Sequence, residues 1–241
     1  MTMASNAETT PTEAQHDSAA AAAAQPMEPA SHAPGPSAST SGGLPTWAWI
    51  LVGGILVALL AAVLVWRFRP PEFHGVLIQS PDEAADFTLM TSRGEPMSLS
   101  DFRGKMVMLY FGYTFCPDVC PTTLNDLSNM MEALGPKKAK DVQVIMVTVD
   151  PERDTVEQLS TYLAYFNPDF LGMTGSVEDI QDIASHYGIF FERQEGDTQA
   201  GYLVDHTAVV TLVDDTGHVR MIFPYGTTGE DMAADLSYMM R

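Results

Sequence analysis

An uncharged apolar run from Trp47 to Trp66 constrains this chain more than any other feature. At about 1.5 Å per residue, a helix of this length matches the hydrocarbon thickness of a bilayer. All three tryptophans of the chain lie at the two ends of the run, where aromatic belts meet the membrane surface. The run is long and no basic region precedes it, which disfavours a cleaved signal peptide. We predict a single-pass transmembrane helix over residues 47–66.

Residues 1–46 form a tail that contains no Lys or Arg and is rich in Ala, Ser, Thr and Pro. Such a composition buries too little apolar surface to fold, so we predict disorder. A mitochondrial transit peptide would be rich in Arg and is disfavoured. His16 and His32 are interpreted as bystanders in this tail.

Residues 67–80, with Pro70, Pro71 and Gly75, are predicted to be a linker, and residues 81–241 a single folded domain long enough to bury its own core. Only four of the 31 acidic residues precede the apolar run, whereas all 12 basic residues follow it. The negative excess that remains in the domain argues against nucleic acid and anionic lipid as partners. It permits a cationic partner, although plain solubility explains it equally well.

Hydrophobic periodicity and turn residues predict the elements of the domain. The predicted strands are 85–90, 106–111, 142–149, 208–213 and 219–223; the predicted helices are 121–134, 155–166, 176–187 and 228–240, with a short helical turn at 99–102 and a polar, hairpin-like segment at 190–202. Their order is that of an α/β thioredoxin-like sandwich with an inserted hairpin.

Both cysteines, Cys116 and Cys120, lie at the turn between a predicted strand and the helix that begins at Pro121. Backbone N–H groups and the helix dipole at such a turn favour thiolate over thiol. A separation of four residues places both sulfurs on one face of a helical turn. Two buried free cysteines are one alternative, whereas a disulfide across one turn would be awkward and would stabilise little. A metal clip and a redox pair both remain open.

A thiolate pair needs a further ligand to hold a soft ion, and the domain region offers His74, His186, His206 and His218. His206 stands out because it leads into the predicted strand 208–213, which in a thioredoxin-type sheet begins beside the cysteine turn. The residues alone leave a ligand role and a structural role for His206 equally open. Two thiolates and an imidazole suit Cu(I) and accept Cu(II), and zinc with a bound water also fits.

Three segments carry a resemblance to a known family: Phe111-Gly112-Tyr113-Thr114-Phe115-Cys116-Pro117-Asp118-Val119-Cys120-Pro121, Val149-Asp150-Pro151-Glu152-Arg153-Asp154-Thr155 and Val204-Asp205-His206-Thr207. They resemble the signature segments of the SCO/SenC family, in the family's order, and the resemblance extends over essentially all of 81–241. Members are thioredoxin-fold copper proteins that help to mature the binuclear copper centre of cytochrome c oxidase.

The resemblance implies copper, as Cu(I) or Cu(II), bound by Cys116, Cys120 and His206. It also implies a metallochaperone rather than an enzyme, with the copper-bearing subunit of cytochrome c oxidase as its partner and an upstream copper donor. Phe115 departs from the polar residue or His that many members have beside the first cysteine. That change affects access to the sulfur and removes no ligand.

The alternative function is a thiol–disulfide oxidoreductase that reduces the cysteines of the target copper site through Cys116 and Cys120. Two features argue against it as the main role. Three residues separate the cysteines where thioredoxin-like redox motifs have two. No proline lies between Pro168 and Pro224, so the cis-proline that faces the thioredoxin dithiol has no counterpart. A peroxiredoxin is disfavoured because Tyr113 and Leu109 replace that family's Thr and Pro.

Acidic residues accompany each signature segment. Asp150 and the Asp154-Thr155 pair are interpreted as turn and helix-cap residues. Asp118 and Asp205, each near a ligand, are candidates for supporting the ligands or for partner contacts.

The orientation in the membrane rests on two conflicting arguments. Arg67 and Arg69 follow the span, and the positive-inside rule applied to them alone would place the domain in the cytoplasm. Long domains translocate largely regardless of flanking charge, and copper delivery to the oxidase belongs outside the cytoplasm. We therefore predict a bacterial inner-membrane protein whose domain lies in the periplasm.

Overall fold

The structure is a computed structural model, and it describes residues 43, 45–68, 73–198 and 201–240. Nearly all of the predicted disordered tail lies outside these residues, as do His16, His32 and Arg69. The described chain falls into two compact units that divide between Val65 and Trp66. They are considered separately below.

The first helix, α1 (Thr46–Arg67), contains the whole of the predicted span. Its 22 residues would extend about 33 Å, slightly more than the hydrocarbon core of a bilayer. A window of the helix has a mean hydropathy of 2.8 and its residues are exposed to solvent, so by length and composition α1 could cross a membrane. The three tryptophans lie within it.

The second unit is a mixed α/β domain. Its strands are β1 (Val76–Leu77), β2 (Thr88–Thr91), β3 (Pro96–Ser98), β4 (Met106–Gly112), β5 (Val142–Thr148), β6 (Leu171–Thr174), β7 (Phe191–Thr198), β8 (Gly201–His206), β9 (Val209–Val213) and β10 (Val219–Pro224). Its helices are α2 (Val119–Ala139), α3 (Val156–Ala164), α4 (Val177–His186) and α5 (Gly229–Met239), with a 3-10 turn at Leu99–Phe102. All the predicted helices are present, and their ends differ from the prediction by a few residues.

Eight strands form one sheet in the order β1-β10-β9-β4-β5-β6-β2-β3. The central strand β4 runs parallel to β5 and antiparallel to β9, and every residue of β4 and β5 is buried. This burial explains why both strands are mostly apolar on successive positions rather than alternating between apolar and polar residues. Helices α2, α3, α4 and α5 each contribute apolar side chains to one core with this sheet.

Helix α2 ends its first, longer part at Leu134, where the sequence predicted the end. Gly135 has a φ of 68°, a left-handed conformation that glycine adopts at no steric cost, and Pro136 follows it. The helix then resumes to Ala139. Glycine also permits the close packing of α5 on α2, because a Cβ at Gly229 would lie 2.4 Å from the backbone oxygen of Asp126.

Three strands of the sheet were not predicted. Strand β6 lies between β5 and β2, and β3 pairs with β2 at the edge of the sheet. The residues from Phe73 onward were expected to be linker, yet β1 pairs with β10 and the Phe73 ring packs edge-to-face on Tyr238 at 5.5 Å. The folded unit therefore includes residues before 81, because a two-residue edge strand leaves almost no periodic signal in the sequence.

The predicted hairpin is present and longer than expected. Strands β7 and β8 form a two-stranded sheet of their own, with Phe191 opposite His206 at its open end. His206 is thus the last residue of β8, and not part of a loop before β9. Because β9 pairs with β4 immediately afterwards, with Val210 opposite Tyr110, the chain returns to the cysteine end of the central strand.

Candidate metal centre

The two cysteines lie where β4 passes into α2. The turn is closed by a hydrogen bond from the Cys116 N–H to the Tyr113 carbonyl at 3.3 Å. Helix α2 begins at Val119, earlier than predicted, so Cys120 lies in its first turn and Cys116 in the loop before it. The two do not share a helix face as expected. Instead, the Cys120 N–H donates to the Cys116 sulfur at 3.3 Å, in the manner of an N-terminal cap.

His206 completes a cluster with the cysteines. The ligand atoms of Cys116, Cys120 and His206 all lie within 4.8 Å of one another, and Nε2 of His206 is 3.3 Å from the sulfur of Cys120. The other ring nitrogen, Nδ1, lies 3.3 Å from the carbonyl oxygen of Thr207. A carbonyl can only accept, so Nδ1 carries the proton and Nε2 presents its lone pair to the sulfurs.

Two tyrosines hold the imidazole in place. The Tyr110 ring lies edge-on to His206 with centroids 6.2 Å apart, and the Tyr113 ring does so at 6.0 Å. The hydroxyl oxygen of Tyr113 also accepts a hydrogen bond from the Val204 N–H at 3.2 Å, which ties the hairpin to the cysteine turn. No pattern in the sequence indicates these roles, because both tyrosines resemble ordinary members of an apolar run.

The cysteines differ in their ionisation. A hydrogen bond from Cys120 is the main cause that lowers the pKa of Cys116 to about 4, against the opposing effect of burial. The neighbouring His206 imidazole and hydrogen bonds from backbone N–H groups lower the pKa further. The pKa of Cys120 is raised, because its thiol is engaged with Cys116 and because it is buried. Cys116 therefore ionises before Cys120, and a metal ion bound by both sulfurs must displace the proton of Cys120.

The buried carboxylate of Asp154 supports the cysteine loop through hydrogen bonds. Asp154 has no exposed surface and accepts hydrogen bonds from the N–H and hydroxyl of Thr114, at 3.0 and 2.6 Å. The hydroxyl of Thr148 donates to the same carboxylate at 2.6 Å. Burial raises the pKa of Asp154. The predicted cap is also present, since the Thr155 hydroxyl accepts from the Gln158 N–H at the start of α3.

A second set of contacts holds the hairpin that carries His206. The Tyr202 hydroxyl donates to Asp150 at 2.7 Å, and the Tyr202 ring lies between the guanidinium groups of Arg153 and Arg193, at 3.7 and 3.6 Å from its centroid. Arg153 also donates to Asp150 and to the carbonyl oxygen of Tyr202. Stacked guanidinium groups and paired charges of this kind position a segment as well as stabilise it.

Arg153 also reaches the cysteine loop. Its guanidinium group lies 4.7 Å from the centroid of the Phe115 ring, which is 41% exposed. Phe115 therefore adds a partly exposed apolar rim to the cysteine loop, next to Cys116 in the chain. Asp118 occupies the N-cap position of α2 without a side-chain cap bond, and Asp205 is exposed on β8.

The other histidines of the domain lie elsewhere. His74 contacts Asp235 and Asp231 through its ring, His186 contacts the Asp182 carbonyl, and His218 lies in the turn before β10. Within residues 43–240 as far as the structure describes them, Cys116, Cys120 and His206 form the one group of three or more Cys, His, Asp or Glu side chains with metal-binding spacing.

The fold and this donor set define a thioredoxin-like domain with two thiols and an imidazole gathered at the turn after its central strand. The chain belongs to the SCO1/SenC family, whose model matches residues 77–241. The predicted family and the predicted fold class are thereby confirmed.

Individual relatives agree with this assignment. An SCO2-like protein from Rickettsia conorii is 32% identical over 189 residues, which cover 76% of this chain and 92% of that protein. The apo Sco1 protein from Thermus thermophilus is 40% identical with a TM-score of 0.63, covering 70% of this chain and 97% of that one. The copper-bound ScoI of Bradyrhizobium japonicum is 34% identical with a TM-score of 0.60, covering 65% and 99%.

Proposed function

We propose that this protein is a membrane-anchored metallochaperone that binds copper through Cys116, Cys120 and His206. The observation that carries the proposal is the convergence of two sulfurs and a lone-pair nitrogen within 4.8 Å. Thiolate and imidazole are the ligands that copper prefers, and two sulfurs suit Cu(I) in particular. The copper-bound state of the Bradyrhizobium japonicum relative supports copper over zinc.

The copper is proposed to serve the binuclear copper centre of cytochrome c oxidase during its assembly, as membership of the SCO1/SenC family implies. Delivery would proceed by ligand exchange with the copper-bearing subunit, and an upstream donor would load the site. No covalent turnover is required, so the protein acts as a chaperone and not as an enzyme. Helix α1 would anchor it in the bacterial inner membrane with the domain in the periplasm.

The test of the ligand assignment is copper binding by the full-length chain in detergent. His206→Ala is expected to lower copper affinity by on the order of 100-fold, since even residues that only support a ligand cost about 10–100-fold when removed. The reduction potential of the cysteine pair should remain nearly unchanged. His186→Ala is the matched control, because it removes an exposed histidine of α4 that is not part of the cluster. Wild-type affinity in His206→Ala would disprove the ligand set.

A second function has one observation in its favour. The pKa of Cys116 is lowered to about 4 and its side chain is partly exposed, which are the properties of an attacking thiolate. The protein would then reduce the cysteines of the target copper site with Cys116 and Cys120. If His206→Ala impaired disulfide exchange while leaving copper affinity intact, this function would replace the first.

The orientation is tested separately. A reporter that is active only in the periplasm, fused after Arg241, should be active in cells. A reporter that is active only in the cytoplasm should be silent at the same position. The reverse pair of results would place the domain in the cytoplasm, as Arg67 and Arg69 alone would predict.

A further inference from the structure

The hydroxyl group of Tyr110 has no role in the site as described so far. Tyr110 is the fifth residue of β4, and its side chain has no exposed surface. Its hydroxyl has no hydrogen-bond partner among the residues that the structure describes. Folded proteins retain few such groups, because an unsatisfied buried hydroxyl costs free energy, and each one calls for an explanation.

The hydroxyl end of the Tyr110 ring faces the buried cysteine. A Cβ placed on Gly112 would lie 3.0 Å from the Cys120 sulfur and 3.2 Å from Cζ of Tyr110, the atom that bears the hydroxyl. Both groups therefore border the same small space, which is open only because residue 112 is glycine. The hydroxyl lies beside the Cys120 sulfur and the Thr123 side chain without meeting hydrogen-bond geometry with either.

The Tyr110 hydroxyl and the Cys120 sulfur border the same space without a hydrogen bond between them. A cysteine sulfur that binds a metal ion does so as a thiolate and carries negative charge. Its hydrogen bonds are then charge-assisted and markedly stronger. The other orphaned hydroxyl near the site among the described residues is that of Tyr162 on α3, which is affected by the charge of the cysteines but, unlike that of Tyr110, does not lie within hydrogen-bonding reach of Cys120.

We propose that the Tyr110 hydroxyl donates a hydrogen bond to the Cys120 sulfur when that sulfur binds copper as a thiolate. Tyr110 is then a positioning residue that stabilises the loaded state over the empty one. This inference rests on the proposed copper site and adds a residue to it. An unsatisfied Tyr110 hydroxyl costs free energy in the copper-free protein, and copper binding removes that cost. Tyr110 therefore increases the affinity for copper and does not increase the stability of the copper-free fold.

Thr123 is the competing acceptor. Its hydroxyl donates to the Val119 carbonyl at 2.9 Å within α2, which leaves its lone pairs open to Tyr110. If Tyr110 served Thr123, the bond would exist with or without metal. The two assignments therefore differ in the empty protein, where only a Tyr110–Thr123 bond would stabilise the fold.

The experiment compares Tyr110→Phe with wild type in the full-length chain. Cu(I) affinity of the reduced protein is measured by competition with a chromophoric chelator, and stability of the copper-free protein by urea unfolding. We expect Tyr110→Phe to weaken Cu(I) binding by about tenfold or more, the usual effect of removing a hydrogen bond to a charged group. The copper-free protein should be no less stable than wild type.

Tyr162→Phe is the matched control, because it also removes an orphaned hydroxyl near the cysteines, but one that has no hydrogen-bond interaction with Cys120. It should leave Cu(I) affinity unchanged. A spectroscopic reading adds a signature that a structural role would not produce. Loss of a hydrogen bond to the thiolate raises the energy of the sulfur donor orbitals, so the thiolate-to-Cu(II) absorption band of Tyr110→Phe should move to longer wavelength.

Two results would overturn the inference. One is a Tyr110→Phe protein that binds Cu(I) as tightly as wild type. The other is a copper-free Tyr110→Phe protein that is less stable than both wild type and Tyr162→Phe, which would assign the hydroxyl to Thr123. Failure of the wild-type protein to bind copper would instead refute the proposed function.

Discussion

The clearest prediction concerns the buried carboxylate of Asp154, which joins the loop after β5 to the cysteine loop. In Asp154→Ala the hydroxyl of Thr148, itself fully buried, loses its acceptor, and an unsatisfied buried group costs about 1–3 kcal/mol. The partly exposed Thr114 can turn to water, and its loss adds less. With the small cavity left behind, we expect the free energy of unfolding to fall by about 2–4 kcal/mol.

Asp154→Asn is the matched control because it keeps the shape of the side chain. Its carbonyl oxygen can accept from the Thr114 N–H and the Thr148 hydroxyl, and its NH2 group can donate to the Thr114 hydroxyl, which is able to accept. We expect this variant to lie within about 1 kcal/mol of wild type. Copper affinity should fall in the alanine variant alone, since Thr114 lies two residues before Cys116.

The assay is urea unfolding followed by near-ultraviolet circular dichroism of tyrosine, since all three tryptophans lie in α1 and do not report on the domain. Equal stability of the alanine and asparagine variants would refute the reasoning. It would mean that Thr114 and Thr148 find other partners and that the carboxylate does not hold the loop.

The pH dependence of stability, compared between wild type and Asp154→Asn, gives an independent check on the role of Asp154. Burial raises the pKa of Asp154 in the folded protein, so the folded state binds this proton more tightly than the unfolded chain does. The contribution of Asp154 to stability is thus largest below the unfolded pKa of about 3.9 and falls as the pH rises through the folded pKa. Stability of Asp154→Asn relative to wild type should therefore rise with pH across that interval. A flat difference would contradict the raised pKa.

Three further predictions concern the rest of the site. Gly112→Ala should lower the free energy of unfolding by about 1–3 kcal/mol and weaken copper binding, because its Cβ would lie 2.7 Å from the Tyr110 ring and 3.0 Å from the Cys120 sulfur. Urea unfolding measures the first effect and chelator competition the second. In the reduced, metal-free protein, iodoacetamide should modify Cys116 far faster than Cys120 at pH 6. The rate of modification at Cys116 should fall only as the pH approaches about 4, and mass spectrometry distinguishes the two sites. Tyr202→Ala should increase amide exchange across β8 and reduce copper affinity, whereas Tyr202→Phe, which keeps the ring between the two guanidinium groups, should do much less.

The central part of the fold could be predicted because its signal is local. Strand β4 is an uninterrupted apolar run and β5 is mostly apolar, and α4 and α5 are preceded by Ser176 and Thr228, whose side chains cap them as such residues usually do. Strand β6 could not be predicted, since its four residues include Gly172. That glycine is required by packing, because a Cβ there would lie 2.9 Å from Leu159 of α3.

The site could be predicted only in part for a similar reason. The cysteine turn is a local feature of strand, turn and helix, and its sequence indicates thiolate chemistry directly. His206 lies 86 residues after Cys120, and nothing in the residues around it distinguishes a ligand from a structural histidine. The family resemblance supplied that assignment, and the pairing of β9 with β4 supplies its physical reason.

The structure adds that the proposed ligands are held by two different supports. The cysteine loop is fixed by a buried carboxylate within the core, through Asp154. The His206 hairpin pairs with no other strand among the described residues and is held by side chains, chiefly the stack on Tyr202. Arg153 belongs to both supports, since its guanidinium group lies over Phe115 of the first and Tyr202 of the second. Displacement of the hairpin therefore also disturbs the apolar rim beside Cys116. The distance between the His206 imidazole and the two sulfurs is thus determined by the Arg153 contacts as well as by the backbone.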